Sequence, residues 1–397
     1  MKKISLISPS RNTLKYLKWS YDSVRRNGPS DIEYCVADDF STDGTWDWCK
    51  LKMKEDKYFK AIRNDGPTRV GHTILYDKLI NTVATGDIVV IWHSDMYLGK
   101  GAIEEILKLI EPGKVVSLTR IEPSLHPAGP EKIQLDLGTE PETFDEARFN
   151  LFVDKKILEN KNITNGVFAP WAIYKSDFVS INGHDPLYAP QSKEDSDIFN
   201  RFVLNGYELI QTWKGFCYHM TCRGSRYNPF ITKIGKESDE WLAQNIKSSR
   251  NFIRKWGSFV KHDEFLHPTI PPKYNIGFKI YNARIDLIQL LEPWGKYIYS
   301  DIPVNVYIKN EQPNTMFDLT KKLTTDYNTF NNFNSDIVVE IDGKTFSEND
   351  FTIIQDLQII VSSAEPGIYE VGTFKLNIIK LIPTENNLIL VKNPNDY

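Results

Sequence analysis

Asp87-Ile88-Val89-Val90-Ile91-Trp92-His93-Ser94-Asp95-Met96 is the stretch on which the reading of this chain turns. Ile88 to Trp92 is an unbroken apolar run with Gly86 and Asp87 before it and polar residues after it, the pattern of a strand covered on both faces. Upstream, Ile4–Ser8 is a short apolar run stopped by Pro9, and Leu14–Arg26 has helical spacing through Leu14, Leu17, Tyr21 and Val24. Ile32–Ala37 reads as a second strand, followed by the polar turn Asp38–Thr45, a helix from Trp46, a strand at Phe59–Arg63 and a helix over Thr73–Ala84. Ala102–Ile110 supplies the next helix. Strands alternating with helices predict an α/β, Rossmann-like domain, a mostly parallel sheet with helices on both faces. Ligands in such sheets sit at the carboxyl ends of the strands.

Downstream, Ile121 to about Asn165 is rich in Pro, Glu and Gly and shows little periodicity, which suggests an excursion over the site. Regular structure resumes at Phe168–Asn182, the helix Ser196–Asn205, the strand Glu208–Trp213 and the helix Trp241–Trp256, closed by Gly257 as a C-cap. From His262 the texture changes to Pro268, Pro271 and Pro272, an amphipathic stretch Ile280–Leu291, then β-type runs at Val304–Ile308, Ile337–Ile341, Phe351–Val361, Gly367–Val371, Phe374–Ile382 and Asn387–Val391. The expected division is therefore a catalytic domain over 1–257, a helical, Pro-rich linker over 258–300 and a C-terminal all-β module over 301–397. That module carries no chemical signature; its roles range over oligomerisation, acceptor docking and carbohydrate binding, and its sheet edges suit a homo-oligomer contact.

The 397 residues are 41% hydrophobic and 25% charged, an ordinary soluble composition. Forty-eight Lys and Arg against 52 Asp and Glu give a net charge of −4, which argues against nucleic acid or an acidic membrane surface as the main partner. No apolar run reaches the roughly 18–20 residues of a transmembrane helix, and Pro9 comes too early for a signal-peptide core. A cytoplasmic location is expected, and four cysteines fit reduced thiols rather than a disulfide framework.

Four clusters can carry chemistry. In Asp38-Asp39-Phe40-Ser41-Thr42-Asp43-Gly44-Thr45 the carboxylates can accept from an imide N–H and ribose hydroxyls, or they cap the helix at Trp46. Asp95, at the end of a buried strand, is a hard ligand for Mg²⁺ or Mn²⁺ unless it only caps a turn, and His93 beside it is either a second ligand or, the favoured reading, pocket wall. Lys193-Glu194-Asp195-Ser196-Asp197 crowds three carboxylates, which either serve the chemistry or follow the preference of acids for a helix start. His219 can complete a metal site, with Arg223 and Arg226 on diphosphate oxygens. Cys217 and Cys222 bracket His219, but their spacing is not that of a zinc ribbon.

In their order these residues resemble the inverting nucleotide-sugar glycosyltransferases of family 2, which have the GT-A fold, over residues 3–257. The resemblance is carried by the strand leading to Pro9-Ser10-Arg11-Asn12, the Asp38–Thr45 turn, Ser94-Asp95 after the buried strand, Gly183-His184-Asp185, and Lys193-Glu194-Asp195 followed by Arg201 and Gly206. It implies that Asp39 contacts the base, with Pro9, Ser10, Arg11, Asp38, Ser94, Arg223 and Arg226 around the donor. It implies a metal, Mn²⁺ or Mg²⁺, on Asp95 and His219. Asp195 is the implied general base and Glu194 its acceptor-side companion; His184 is read as an acceptor contact, and Trp171 either stacks on a sugar face or, as a lone aromatic more often does, belongs to the core. Two positions depart from the family pattern: His93 stands at the first acidic place of the DXD motif, and His184 at the second Gly of the usual Gly-Gly-Phe-Asp. The expected activity is metal-dependent transfer of a sugar from a nucleoside diphosphate sugar to a hydroxyl of an oligosaccharide, glycolipid or protein, with inversion. UDP is preferred because an Asp accepts from the uracil imide, although guanine also offers an N–H. A retaining transferase, a non-catalytic nucleotide-sugar or carbohydrate-binding protein, and a nucleotidyltransferase are the other readings. The last lacks a Gly-rich basic loop after the first strand.

Overall fold

The computed structural model describes residues 2–159, 161, 163–221, 223 and 237–396. Residues up to Gln244 with His262–Pro268 form one compact unit, and Asn245–Lys261 with the chain from Thr269 form a second.

The first unit is built on a ten-stranded sheet. Its strands are β1 (Ile4–Ser10), β2 (Glu33–Asp39), β3 (Phe59–Asn64), β4 (Ile88–Ile91), β5 (Met96–Leu98), β6 (Lys114–Glu122), β7 (Lys132–Gln134), β8 (Ile163–Thr164), β9 (Trp171–Tyr174) and β10 (Glu208–His219). They run in the order β3-β2-β1-β4-β9-β6-β10-β5, with β7 beside β6 and β8 beside β10. The β1–β4 core is parallel, as the alternating pattern predicts, and β9 enters antiparallel between β4 and β6. Helices Leu14–Asn27, Thr45–Glu55, His72–Thr82 and Ala102–Leu109 follow the reading closely. Strand β10 runs six residues past the expected Trp213, because an irregularity between Thr212 and Phe216 lets it resume pairing with β6 and so carries His219 to the site edge. The low-periodicity segment after Ile121 contains β7, the helix Glu146–Ile157 and β8.

The second unit has a six-stranded sheet: β11 (Ile276–Tyr281), β12 (Tyr297–Ser300), β13 (Leu323–Thr324), β14 (Ile337–Asp342), β15 (Gly367–Val371) and β16 (Phe374–Ile378), in the order β13-β12-β11-β14-β16-β15. The second sheet is as expected, but the all-β module is corrected. Asn305–Glu311 and Glu348–Val361 are helices where strands were read, and Glu385–Leu388 is a 3₁₀ turn. In Glu348–Val361 the buried residues Asp350, Ile354, Leu357 and Val361 fall on one helical face, and Ser347 with Asp350 forms a capping box. Residues 258–300, read as a linker, supply β11 and β12 at the middle of this sheet. Gly257 does end the helix Asp239–Trp256, with a φ of 72°.

At the amino edge of the first sheet, buried Glu33 ties four segments together. It accepts from Ser5 Oγ at 2.6 Å, Lys60 Nζ at 2.5 Å and Thr85 N at 2.8 Å. Burial pushes its pKa up, but these donors more than offset it and hold the carboxyl at about 2. A depressed folded pKa means stabilisation that is present above the ordinary 4.5 and is lost as pH falls toward 2. Glu33→Gln is expected to lower stability by about 2 kcal/mol at neutral pH in urea unfolding, a gap that narrows as pH falls through that window.

Candidate active site

The donor-side wall is made where β1 and β2 end. Thr42 N donates to Asn12 Oδ1 at 2.8 Å, Asn12 N to Ser41 Oγ at 2.9 Å, and Leu14 N to Asp43 Oδ2 at 2.9 Å, so the 10–14 and 38–45 turns form one surface. Hydroxyls chain Ser10 to Thr13 at 2.8 Å and Thr13 to Ser94 at 3.0 Å, linking that surface to the end of β4. Pro9 and Ser10 close β1, and Arg11 is exposed beyond them. Asp38 is fully buried; burial raises its pKa, and Arg63 Nε lies 3.2 Å away. Asp39 accepts from Asn64 Nδ2 at 2.7 Å, Val70 N at 3.0 Å and Gly71 N at 2.8 Å. It therefore folds the 64–71 loop down on the turn. Gly71 has φ +87° and its missing Cβ would meet Pro190 at 2.2 Å, so only glycine lets that loop pass.

Beyond β4, His93, Asp95 and His219 bring one ligand atom each to within 4.8 Å of one another. His219 Nε2 is 3.3 Å from Asp95 Oδ1, and its Nδ1 is 2.7 Å from Glu122 Oε1. Burial pushes the His219 imidazole down, but Asp95 and Glu122 outweigh it and hold it at about 9. Asp95 is lowered because His219 outweighs its burial. Burial, with His219 as its neighbour, drives His93 down to about 3, so it stays neutral and ready to ligate without losing a proton. Glu122 is buried and held low by Arg120 and His219 against its burial, with Arg120 Nε at 3.1 Å and Lys132 Nζ at 3.2 Å. The donor set of two imidazoles and one carboxylate, with a carboxylate behind one imidazole, suits a divalent transition ion.

The third component is the start of the helix Glu194–Leu204. Its acids separate by role. Asp197 is fully buried and accepts from Arg201 Nε at 2.8 Å, while Arg201 donates onward to the carbonyls of Ile181 at 2.9 Å and Gly183 at 2.5 Å. That pair is structural. Glu194 Oε1 lies 2.6 Å from His72 Nε2, and Oε2 is buried with no hydrogen-bond partner among the described residues. Burial and the neighbouring Glu194 raise Asp195 to about 6; His184, His72 and the Trp171 indole offset part of the rise. Burial raises the Tyr76 hydroxyl well above its ordinary value, and the charges of Asp195, Glu194 and Asp95 add to the rise.

Burial decides the two acceptor-side residues. Trp171 takes the core place that a lone aromatic favours, fully buried among Phe178, Phe199 and Phe202, and its acceptor role falls away. His184 is enclosed as well, its Nδ1 2.7 Å from Asp77 Oδ1. Arg223 donates to Thr139 O at 2.5 Å and lies 3.4 Å from Glu140, which ties it to the 138–140 segment. Arg226 and Cys222 lie outside the described residues.

Residues 5–175 match the family model described as glycosyl transferase family 2. Residues 5–175 form a family 2 glycosyltransferase domain. No curated protein matches it. Among solved structures it is similar to GalNAc-T7 with UDP, GalNAc and Mn²⁺ (14% identity, TM-score 0.41, 55% of this chain and 43% of that one). It is similar to the mannosyltransferase PcManGT of Pyrobaculum calidifontis with GDP-Man and Mn²⁺ (17%, 0.42, 64% of each chain). It is also similar to S. aureus TarS 1–349 (16%, 0.42, 64% and 80%). The chain spans less than two-thirds of the length of the first two. The transferase assignment rests on the residue 5–175 match.

Two residues of the site escape the sequence reading, and a third is weighed the wrong way. His93 joins the ligand cluster, the less favoured of its two readings. Glu122 falls inside the segment read as irregular from Ile121, although it ends β6. His72 had no signal, because its partner Glu194 is 122 residues away. Glu122→Gln is expected to weaken divalent-ion affinity about 10–100-fold while leaving the fold's circular dichroism unchanged, measured by Mn²⁺ titration calorimetry.

Proposed function

We propose that this transferase moves a sugar from a UDP-sugar to an acceptor hydroxyl with inversion, using Asp195 as general base. The observation that supports this most is the raised carboxyl of Asp195 at the start of the helix Glu194–Leu204, in a unit that also assembles the His93–Asp95–His219 cluster. A base that deprotonates a hydroxyl at neutral pH works best with a pKa close to the operating pH, and burial beside Glu194 moves Asp195 toward it. Glu194, pinned through Oε1 by His72, keeps a buried Oε2 that can accept from the incoming hydroxyl and orient it.

His93, Asp95 and His219 would hold the divalent ion, and nitrogen-rich ligation favours Mn²⁺ over Mg²⁺. When bound, the ion supplies Lewis-acid stabilisation of the departing diphosphate. The Glu122 carboxylate keeps the Nδ1 proton of His219 in place and directs Nε2 at the site. The wall formed by the 10–14 and 38–45 turns would seat the nucleoside, with partly exposed Arg63, its Nε 3.2 Å from buried Asp38, as a donor to the base. The acceptor is a hydroxyl of an oligosaccharide, glycolipid or protein. The described cysteines Cys35, Cys49 and Cys217 are buried free thiols, which fits a reducing cytoplasm.

Purified protein incubated with Mn²⁺ and a panel of UDP- and GDP-sugars is expected to transfer or hydrolyse a UDP-sugar, and EDTA should abolish it; turnover in EDTA refutes the metal role. Asp195→Asn is expected to lower kcat about 100-fold or more with donor binding retained, and NMR of the product should show the inverted anomer. A retained anomer, or near-wild-type kcat in that variant, rejects Asp195 as the base of a single displacement. The rate should rise as pH passes through about 6, the value at which Asp195 gives up its proton. Glu194→Gln removes the neighbouring negative charge and should shift that limb to lower pH.

A further inference from the structure

In the second unit, β11, β12, β13 and β14 have the order 3-2-1-4 of a nucleotide-binding half-sheet, whose phosphate seat ordinarily lies at the carboxyl end of the first strand. Here that seat is filled from within. Asn282 N and Ala283 N, just past β11, donate to the Asp301 carboxylate at 2.6 and 2.9 Å. A second anion has no place there.

The opposite edge of the sheet is built differently. A cavity of about 490 Å³ opens at the amino ends of β11, β12 and β13, within the usual range for small-molecule sites of roughly 300–1,000 Å³. Arg254, Lys273, Lys296, Lys321 and Lys322 line it, against one lining carboxylate, Asp318. Lys322 Nζ is 2.7 Å from buried Glu292, which also takes Arg254 and Arg250, and Lys321 Nζ is 3.6 Å from Asp318. Lys273 Nζ donates to the carbonyls of Lys255 at 2.5 Å and Arg254 at 3.4 Å. Lys296 has no carboxylate oxygen within 4 Å among the described residues; its ammonium sits 5.6 Å from the Tyr297 ring, which stacks on Phe333 at 4.2 Å. Trp294 and Phe317 add apolar wall.

We propose that this cavity is a second ligand site, one for a small phosphate-bearing anion such as a sugar phosphate, gripped by Lys296 with Lys322 and Lys273 and floored by the Tyr297–Phe333 stack. Cations gathered in one cavity repel each other, and a bound dianion relieves that repulsion; the Arg254 fork is already taken by Glu292, Asn251 and Glu311, so the ammonium groups are left to meet it. Burial, then the nearby cations, push Lys273 down to about 7, and burial lowers Lys296 although Asp336 offsets part of that. The aromatic floor suits the apolar face of a sugar ring. The site stands independently of the transferase chemistry.

The test uses the full chain in EDTA, with inorganic phosphate, pyrophosphate and glucose 1-phosphate as probes in equilibrium dialysis. Wild type is expected to bind glucose 1-phosphate more tightly than inorganic phosphate. Lys296→Gln should weaken it about tenfold or more, Lys296→Arg should restore it, and Asp95→Asn should leave it unchanged. No binding of any probe, or equal binding by wild type and Lys296→Gln, overturns the proposal. If Lys296→Gln fails to fold, NMR of reductively ¹³C-dimethylated lysines in the wild type decides: phosphate-induced shifts of Lys296 and Lys322 support the site, and their absence overturns it.

Discussion

A carboxylate removed from water must be met by donors or cations, and the first unit is organised around five that are: Glu33, Asp39, Glu122, Glu194 and Asp197. The Glu122–His219 contact of 2.7 Å is the one on which the candidate site depends most. It joins the ends of two parallel neighbours, β6 and β10, and fixes which nitrogen of His219 faces Asp95. Remove the carboxylate and the imidazole is free to rotate or change tautomer; the cluster with His93 and Asp95 then loses its geometry. Arg120 and Lys132 in turn keep Glu122 charged in a buried place.

The same logic sorts the acids at the start of Glu194–Leu204. Asp197 is spent on Arg201, which braces the carbonyls of Ile181 and Gly183 below the site. Glu194 is half engaged by His72. Asp195 alone has its charge disfavoured, by burial and by the acid next to it. Three carboxylates within four residues therefore have three different electrostatic states, and only one is poised to exchange a proton near neutrality.

Much of the first unit was legible in the sequence because its strands are buried on both faces. Ile88–Trp92, with no polar interruption, admits few other readings, and the alternation around it prescribes a parallel core. Legibility fails where the deciding contact is remote. Asp39 reads as a ligand contact in a turn, yet three of its hydrogen bonds go to a loop 25–32 residues on. Trp171 beside Pro170 admits two readings, platform or core, and only tertiary packing decides for core. In the second unit Phe351–Val361 is rich in β-branched residues and so imitates a strand, while its helical face and the Ser347–Asp350 cap settle the matter for helix.

Asp301 directly follows β12, and its carboxylate fills the turn just past β11. A cell offers millimolar nucleotides to every half-sheet whose first turn can cradle a phosphate. By seating its own carboxylate on the Asn282 and Ala283 amides, the second unit keeps the strand order of such a sheet and withdraws from that competition. The place where such a sheet ordinarily seats a phosphate is thus occupied by the fold's own carboxylate.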